Sequence, residues 1–194
     1  LPFPFRFYGE PLATVMVSMH GYLDIAGIGG DWYNLPIPYE DGSIDAHSVI
    51  APWWDQLDVT ATSKIHYQVF GVAPERSITF EWRDVVTYKD TAAFSFQVTL
   101  YERNEQMTFA YGPDRPGGNP SSSIGVLHLD TEGAPALRCN LVCMSGSFPS
   151  GEAIDVVPSA DLVVSRIETD ALAYGALPFR MRALVSNKGA SPAS

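Results

Sequence analysis

The chain has 194 residues, 46% of them hydrophobic and 12% aromatic, so it can bury roughly 70% of its unfolded surface without a metal or disulfide. Its net charge of −10 argues against nucleic acid and disfavours anionic membranes as partners, because phosphate binding needs clustered Lys and Arg. No apolar run approaches the roughly 20 residues of a membrane span, and only 18% of residues are charged, as in many extracellular β proteins.

Taken in order, the chain enters at once into strand-like sequence, Leu1 to Phe7, broken by Tyr8-Gly9. It begins without Met and without a secretory leader. This reads as an excerpt or processed product whose export signal has been removed. Val15 to Leu23 is a second apolar segment interrupted by the turn dipeptide His20-Gly21. Ala26 to Ser48 is the longest weakly patterned stretch, and a loop of that length suggests function or insertion.

From Lys64 the period becomes two. Ile65, Tyr67 and Val69 share one face, with Lys64, His66 and Gln68 on the other. The same alternation runs through Ile78, Phe80 and Trp82, then Phe94, Phe96, Val98 and Leu100, then Met107, Phe109 and Tyr111. Alternation of this kind marks half-buried antiparallel strands. Turn chemistry separates about ten of them, at Gly71 to Pro74, Arg103-Asn104, Pro113 to Pro120 and Glu132-Gly133 among others. Helical spacing is nowhere sustained. The fold class is all-β, an antiparallel two-sheet β-sandwich of jelly-roll type, with Phe80, Trp82, Phe96, Val98 and Phe109 in its core.

A boundary falls near Val157-Pro158-Ser159, dividing a sandwich module at 1–157 from 158–194. Asp161 to Ile167 and Leu177 to Val185 read as two more strands. Roughly 35 residues cannot build an immunoglobulin-like sandwich of about 100, so they dock on the first module or begin a truncated second one.

Three motifs carry a family resemblance. They are Leu1-Pro2-Phe3-Pro4-Phe5-Arg6-Phe7-Tyr8-Gly9, then Val15-Met16-Val17-Ser18-Met19-His20-Gly21-Tyr22-Leu23, then Ile50-Ala51-Pro52-Trp53-Trp54-Asp55-Gln56-Leu57-Asp58. In this order they resemble the nidogen-like extracellular β modules, and more closely a related module of large secreted bacterial proteins. The later strands Phe80-Glu81-Trp82 and Phe109-Ala110-Tyr111-Gly112 extend the resemblance to about Gly125. His20 departs from the pattern, which carries Asn before the Gly. The tail from Asp161 to Ala190 resembles the start of a bacterial cell-adhesion-related (CARDB) domain, an immunoglobulin-like sandwich. These resemblances imply a secreted or cell-surface location and a binding or structural role within a multidomain protein. They imply no agreed catalytic residues.

The residues offer few candidates for chemistry. Asp31, Asp41 and Asp45 in the long loop, with Trp53 or Trp54, form the candidate ligand-binding surface for carbohydrate or protein. Adjacent residues on a strand face opposite ways, so one tryptophan is expected in the core and the other partly exposed. Asp55 and Asp58 are candidate ligands for calcium, which takes six to eight oxygens. The Asp-x-Asp-x-Asp-Gly spacing is missing, however, which favours plain solvated acids, and no cofactor is expected. Cys139 and Cys143 are the only cysteines. An exported setting favours a disulfide between them, provided Asn140-Leu141-Val142 forms a turn, since on a regular strand the two would stand about 13 Å apart.

His20, His47, His66 and His128 obey no zinc spacing, and neither a nucleophile elbow nor a His-Glu-x-x-His motif is present. A jelly-roll glycosidase would need two carboxylates in one cleft. Glu81 and Asp84, three apart on a regular strand, would face opposite ways. The expectation is therefore a noncatalytic recognition, adhesion or spacer module whose partners are neighbouring domains and a carbohydrate or protein ligand. The alternative is an extracellular hydrolase of jelly-roll type.

Overall fold

In the computed structural model the described residues are 1–25, 34, 48–117, 122–129, 135–143, 149–156, 162–169 and 181–187. For 129, 135–143, 162–169 and 181–187 the description is of the backbone alone. Among them there are fifteen strands and no helix. The chain divides into two compact units, Leu1–Val157 and Pro158–Ser194.

The first unit is an antiparallel sandwich. One sheet contains β6 (Leu57–Asp58), β7 (Lys64–Phe70), β8 (Ser77–Thr87), β9 (Phe94–Tyr101), β10 (Met107–Tyr111) and β13 (Ala153–Val156). Its order is β13-β10-β9-β8-β6, and β7 pairs with β8 on the same side as β6. The facing sheet runs β12-β11-β5-β4-β3, from β12 (Pro135–Cys143), β11 (Ser123–Leu129), β5 (Val49–Trp54), β4 (Leu23–Asp24) and β3 (Met16–Val17). A small hairpin, β1 (Phe5–Phe7) with β2 (Glu10–Leu12), turns at Tyr8-Gly9, where both residues have positive φ.

Alternation decides the layers. In β9 every second residue, Phe94, Phe96, Val98 and Leu100, is buried, and Met107, Phe109 and Tyr111 repeat this in β10. Trp82 on β8 lies opposite Phe96 on β9, and the rings stack at 5.1 Å and 13°. Phe94 continues the row to Trp53 of the other sheet at 5.9 Å, close to perpendicular. The five expected core residues, Phe80, Trp82, Phe96, Val98 and Phe109, are all buried.

β5 behaves differently, because all six of its residues are buried. Its run Val-Ile-Ala-Pro-Trp-Trp does not alternate, the pattern of a strand covered on both faces. Ile50 and Trp53 join the inter-sheet core, whereas Val49, Ala51 and Trp54 join Tyr22 and Leu127 in a second cluster. Between Ala51 and Trp54 the pairing with β11 slips by one residue, so Pro52, which has no N–H to donate, sits at a bulge. Its carbonyl instead accepts a 2.8 Å hydrogen bond from the buried Tyr111 hydroxyl of the opposite sheet.

The turn between β3 and β4 is wedged into this core. The Ser18 carbonyl accepts from the Trp82 indole N–H at 2.9 Å, and the Gly21 carbonyl accepts from the Trp53 N–H at 3.3 Å. Gly21 has φ +84°, and a Cβ there would run into the Trp53 carbonyl oxygen. The His-Gly dipeptide thus makes the turn because glycine takes the left-handed position.

The second unit is described by one antiparallel hairpin, β14 (Leu162–Thr169) with β15 (Met181–Asn187), whose register shifts between Val164 and Arg166.

Two substitutions test this packing. Phe96→Ala should cost about 3 to 5 kcal/mol in denaturant unfolding, and a loss under about 1 kcal/mol would mean the ring is not in the core. Gly21→Ala should cost about 2 kcal/mol or more from backbone strain and displacement of the Trp53 carbonyl. A neutral Gly21→Ala would show that the turn does not close on β5.

Candidate functional site

The tryptophan pair does not form a platform. Trp53 and Trp54 do face opposite ways, as strand parity requires, but both are fully buried because β5 is covered on both sides. Asp31, Asp41 and Asp45 lie outside the described residues, so the loop surface they were expected to form with a tryptophan loses its aromatic half.

Asp55 and Asp58 stand beside the wedged turn. Asp55 is buried, and its Oδ1 accepts from the Gln56 N–H at 2.8 Å while its own N–H donates to the His20 carbonyl. Asp58 is half-buried on β6, close enough to His20 to act on its charge. Among the described residues no three His, Cys, Asp or Glu side chains gather into a metal-binding set.

The disulfide expectation needed a turn at Asn140-Leu141-Val142. These residues instead lie within β12, where the pairing with β11 slips by one residue between Val142 and Cys139 without a turn. A regular strand would set residues four apart at about 13 Å, against a limit near 7 Å, and β12 runs on through the slip as a strand, so this backbone does not fit a bridge between Cys139 and Cys143.

The separation of Glu81 from Asp84 also changes. Between Trp82 and Val85 the register with β9 shifts, giving β8 a bulge in which Asp84 has φ +52°. Trp82 and Val85 both point inward although three residues apart, so Glu81 and Asp84, each just before an inward residue, share the outer side. Glu81 is committed there to a 2.8 Å contact with His66 Nε2 and an ion pair with Arg83 at 2.9 Å.

Ser48 Oγ and His128 Nδ1 approach to 3.4 Å, and the His128 ring stacks on Tyr8 at 5.5 Å and edges onto Phe7. That contact ties the β1–β2 hairpin to the five-stranded sheet. At the far end of β7, Arg76 makes a bidentate pair with Glu102 at 2.6 and 2.8 Å and caps the Pro2 carbonyl. The Arg76 hydrogen bonds hold the Glu102 carboxyl below its usual range. This Arg and the Arg103–Glu75 pair line a shallow depression of about 300 Å³ with Tyr101 and Asn104.

The feature that stands out is β7. Its seven residues are all exposed, although Ile65, Tyr67 and Val69 lie opposite the buried Trp82, Phe80 and Ile78 on the core side of the sheet. The strand overhangs the sandwich, leaving Tyr67 67% exposed. No strand of the described residues pairs with its outer edge. Phe70, 47% exposed, and Val72, 78% exposed, continue the apolar strip into the turn toward β8. On the outer face its side chains begin polar rows that cross the sheet, Gln68–Thr79–Thr99–Thr108–Asp155 in one and His66–Glu81–Gln97–Ala110 in the next. Hydrogen bonds knit the first row, Thr79 to Thr99 at 2.8 Å and Thr108 to Asp155 at 2.7 Å. The alternation of β7 was legible in sequence, but not its place at an edge, since period two is the same for a covered and an overhanging strand. Its one sequence signal is the apolar Val69-Phe70-Gly71-Val72 run at a turn that should be polar.

His20 supplies a pH-dependent test of the turn. Its Nδ1 accepts from the Leu57 N–H at 3.3 Å, which requires that nitrogen to be unprotonated. Burial pushes its pKa below 6.5, with Asp58 pulling the other way. The unfolded chain therefore takes up this proton first as pH falls, so stability is full above about pH 6.5 and is lost below it. Between about pH 7.5 and 5.5 the melting temperature of the native chain should drop further than that of His20→Asn, whose amide oxygen accepts without titrating. Parallel curves for the two proteins would refute the acceptor role.

Against known proteins, no curated protein and no solved structure matches the chain. The family model described as NIDO related matches residues 1–138, which spans the three motifs, the wedged turn and strands β1 to β11. Among the described residues no helix is long and apolar enough to cross a membrane. The all-β sandwich and this match, covering well over half the sequence, place the chain in the NIDO-related family.

Proposed function

We propose that this chain is a noncatalytic extracellular recognition module of a multidomain secreted or surface protein, and that it binds through β7. The observation that carries the reading is a strand exposed along its length, with an apolar core-side face and an edge that no strand of the described residues pairs. Apolar side chains gathered on an exposed edge are what protein-recognition surfaces use, with main-chain hydrogen bonds giving affinity and alternate side chains giving specificity. The NIDO-related match supports the extracellular setting. The tail hairpin, β14 with β15, suits the opening strands of an adhesion-type immunoglobulin-like domain of the CARDB kind, and a bacterial surface protein is the parent that both resemblances favour.

Catalysis has less support. Glu81 shares its side of the sheet with Asp84, but it sits on an open face, held between His66 and Arg83. Acid–base chemistry relies on titratable groups converging in a cleft.

Purified chain should bind members of an extracellular protein panel or glycan array without turning over glycosidase, esterase or peptidase substrates. Tyr67→Lys should weaken that binding by about tenfold or more while leaving the melting temperature unchanged. Reproducible turnover that disappears on replacing one Asp, Glu or His would overturn the proposal. So would binding indifferent to Tyr67→Lys, for the β7 surface.

A further inference from the structure

We infer that the occupant of the β7 edge is a second copy of this chain, paired antiparallel through Lys64–Phe70 about a twofold axis at Tyr67. The inference rests on reading β7 as the recognition surface and names its partner.

The edge itself lacks the features that keep sheet edges apart. β7 pairs with β8 through seven consecutive residues without a register shift, contains no proline, and has one lysine, at its end. Natural edges of that length are ordinarily blunted by charge, bulge or proline. The other edge of the same sheet, β13, has only four residues.

Parity then selects the partner. With the axis at Tyr67, Ile65 of one copy lies opposite Val69 of the other, and Tyr67 opposite itself. On the second face His66 meets Gln68 and Lys64 meets Phe70. Both core-side apolar sets thus fall on one face of the joined sheet, whereas a slip of one residue would set apolar against polar positions. The arrangement is isologous and closes at two copies rather than growing into a filament.

Charge points the same way. At a net −10, two copies repel over most of their surface. β7 carries no carboxylate, and Glu81 on the neighbouring strand is already paired with His66 and Arg83. Along this strand no carboxylate opposes a second copy. Tyr67 and Phe70, aromatic side chains of about 150 to 250 Å² and each about half or more exposed, supply most of the contact. With the aliphatic residues and backbone the interface comes to roughly 1,000 Å² in total, at the low end for a specific complex. A weak dimer, with a dissociation constant in the micromolar range, follows.

Sedimentation velocity on the full 194-residue chain, from about 1 to about 500 µM, reads this directly. The native chain should pass from monomer to dimer over that range, and Tyr67→Lys, at an exposed position, should remain monomeric with an unchanged melting temperature. Amide exchange on the unsubstituted chain gives a second reading, because the edge amides of Lys64–Phe70 should slow as concentration rises while those of β13 do not. A monomer at every concentration, or a dimer that Tyr67→Lys leaves intact, overturns the homotypic partner. If the chain stays monomeric but Tyr67→Lys abolishes binding on the protein or glycan panel, the partner is wrong and the recognition surface stands. If neither responds to Tyr67→Lys, both fall.

Discussion

The sandwich depends on a five-residue turn held from two sheets at once. Ser18 to Tyr22 closes on itself through the Tyr22 carbonyl, then offers the Ser18 carbonyl to the Trp82 indole and the Gly21 carbonyl to the Trp53 N–H. Those two tryptophans belong to opposite sheets and terminate a row of rings through Phe94 and Phe96. A buried indole N–H costs energy unless it finds an acceptor, and a turn carbonyl pressed into an aromatic core has the same problem. Each satisfies the other. The arrangement tolerates only glycine at position 21, where the chain lies against the β5 backbone with φ +84°. Opposed polar needs and one missing Cβ thus fix how the two sheets approach.

Two of the bulges, in β5 and β8, shape the regions that matter here. In β5 the extra residue lets Pro52 occupy an otherwise central strand and turns its carbonyl toward the Tyr111 hydroxyl. The tyrosine is buried as a neutral donor, its ionisation pushed up by that burial. In β8 the bulge at Arg83-Asp84 divides the strand, with β7 pairing before it and β6 after it. Ser63 hydrogen-bonds the Asp84 carbonyl across the gap, and the Asp84 N–H donates to Ser95. β7 is therefore held along a straight portion of β8 and released at the bulge. That is why it forms a clean edge.

The consequence for function is a division of faces. Aromatic residues that would serve as ligand platforms in an open sandwich, Trp53 and Trp54 above all, are spent on holding a sheet that is buried on both sides. What remains exposed and apolar is concentrated on and around β7, in Tyr67, Phe70 and Val72. The chemistry on offer there is strand pairing and apolar contact, beside a polar face whose hydroxyls and charges already satisfy one another.

Much of this architecture was written in local sequence. Period-two alternation marks the strands from Ile65 to Tyr111 and correctly assigns Phe80, Trp82, Phe96, Val98 and Phe109 to the core, because side-chain direction along a strand is a local property. Glycine after His20 and Tyr8 marks turns for the same reason. The failures share one cause. Whether Trp54 is covered, whether Glu81 and Asp84 share a side, whether Cys139 to Cys143 bends into a turn, and whether β7 has a neighbour on its far side all depend on what another segment does. A bulge shifts parity by one residue without a compositional signature, and an edge strand differs from a central one only in the absence of a partner. The sequence by itself determined the alternating strands between Ile65 and Tyr111, their inward faces and the glycine turns. Only the tertiary structure decided which surfaces remain open, since exposure is a relation between segments distant along the chain.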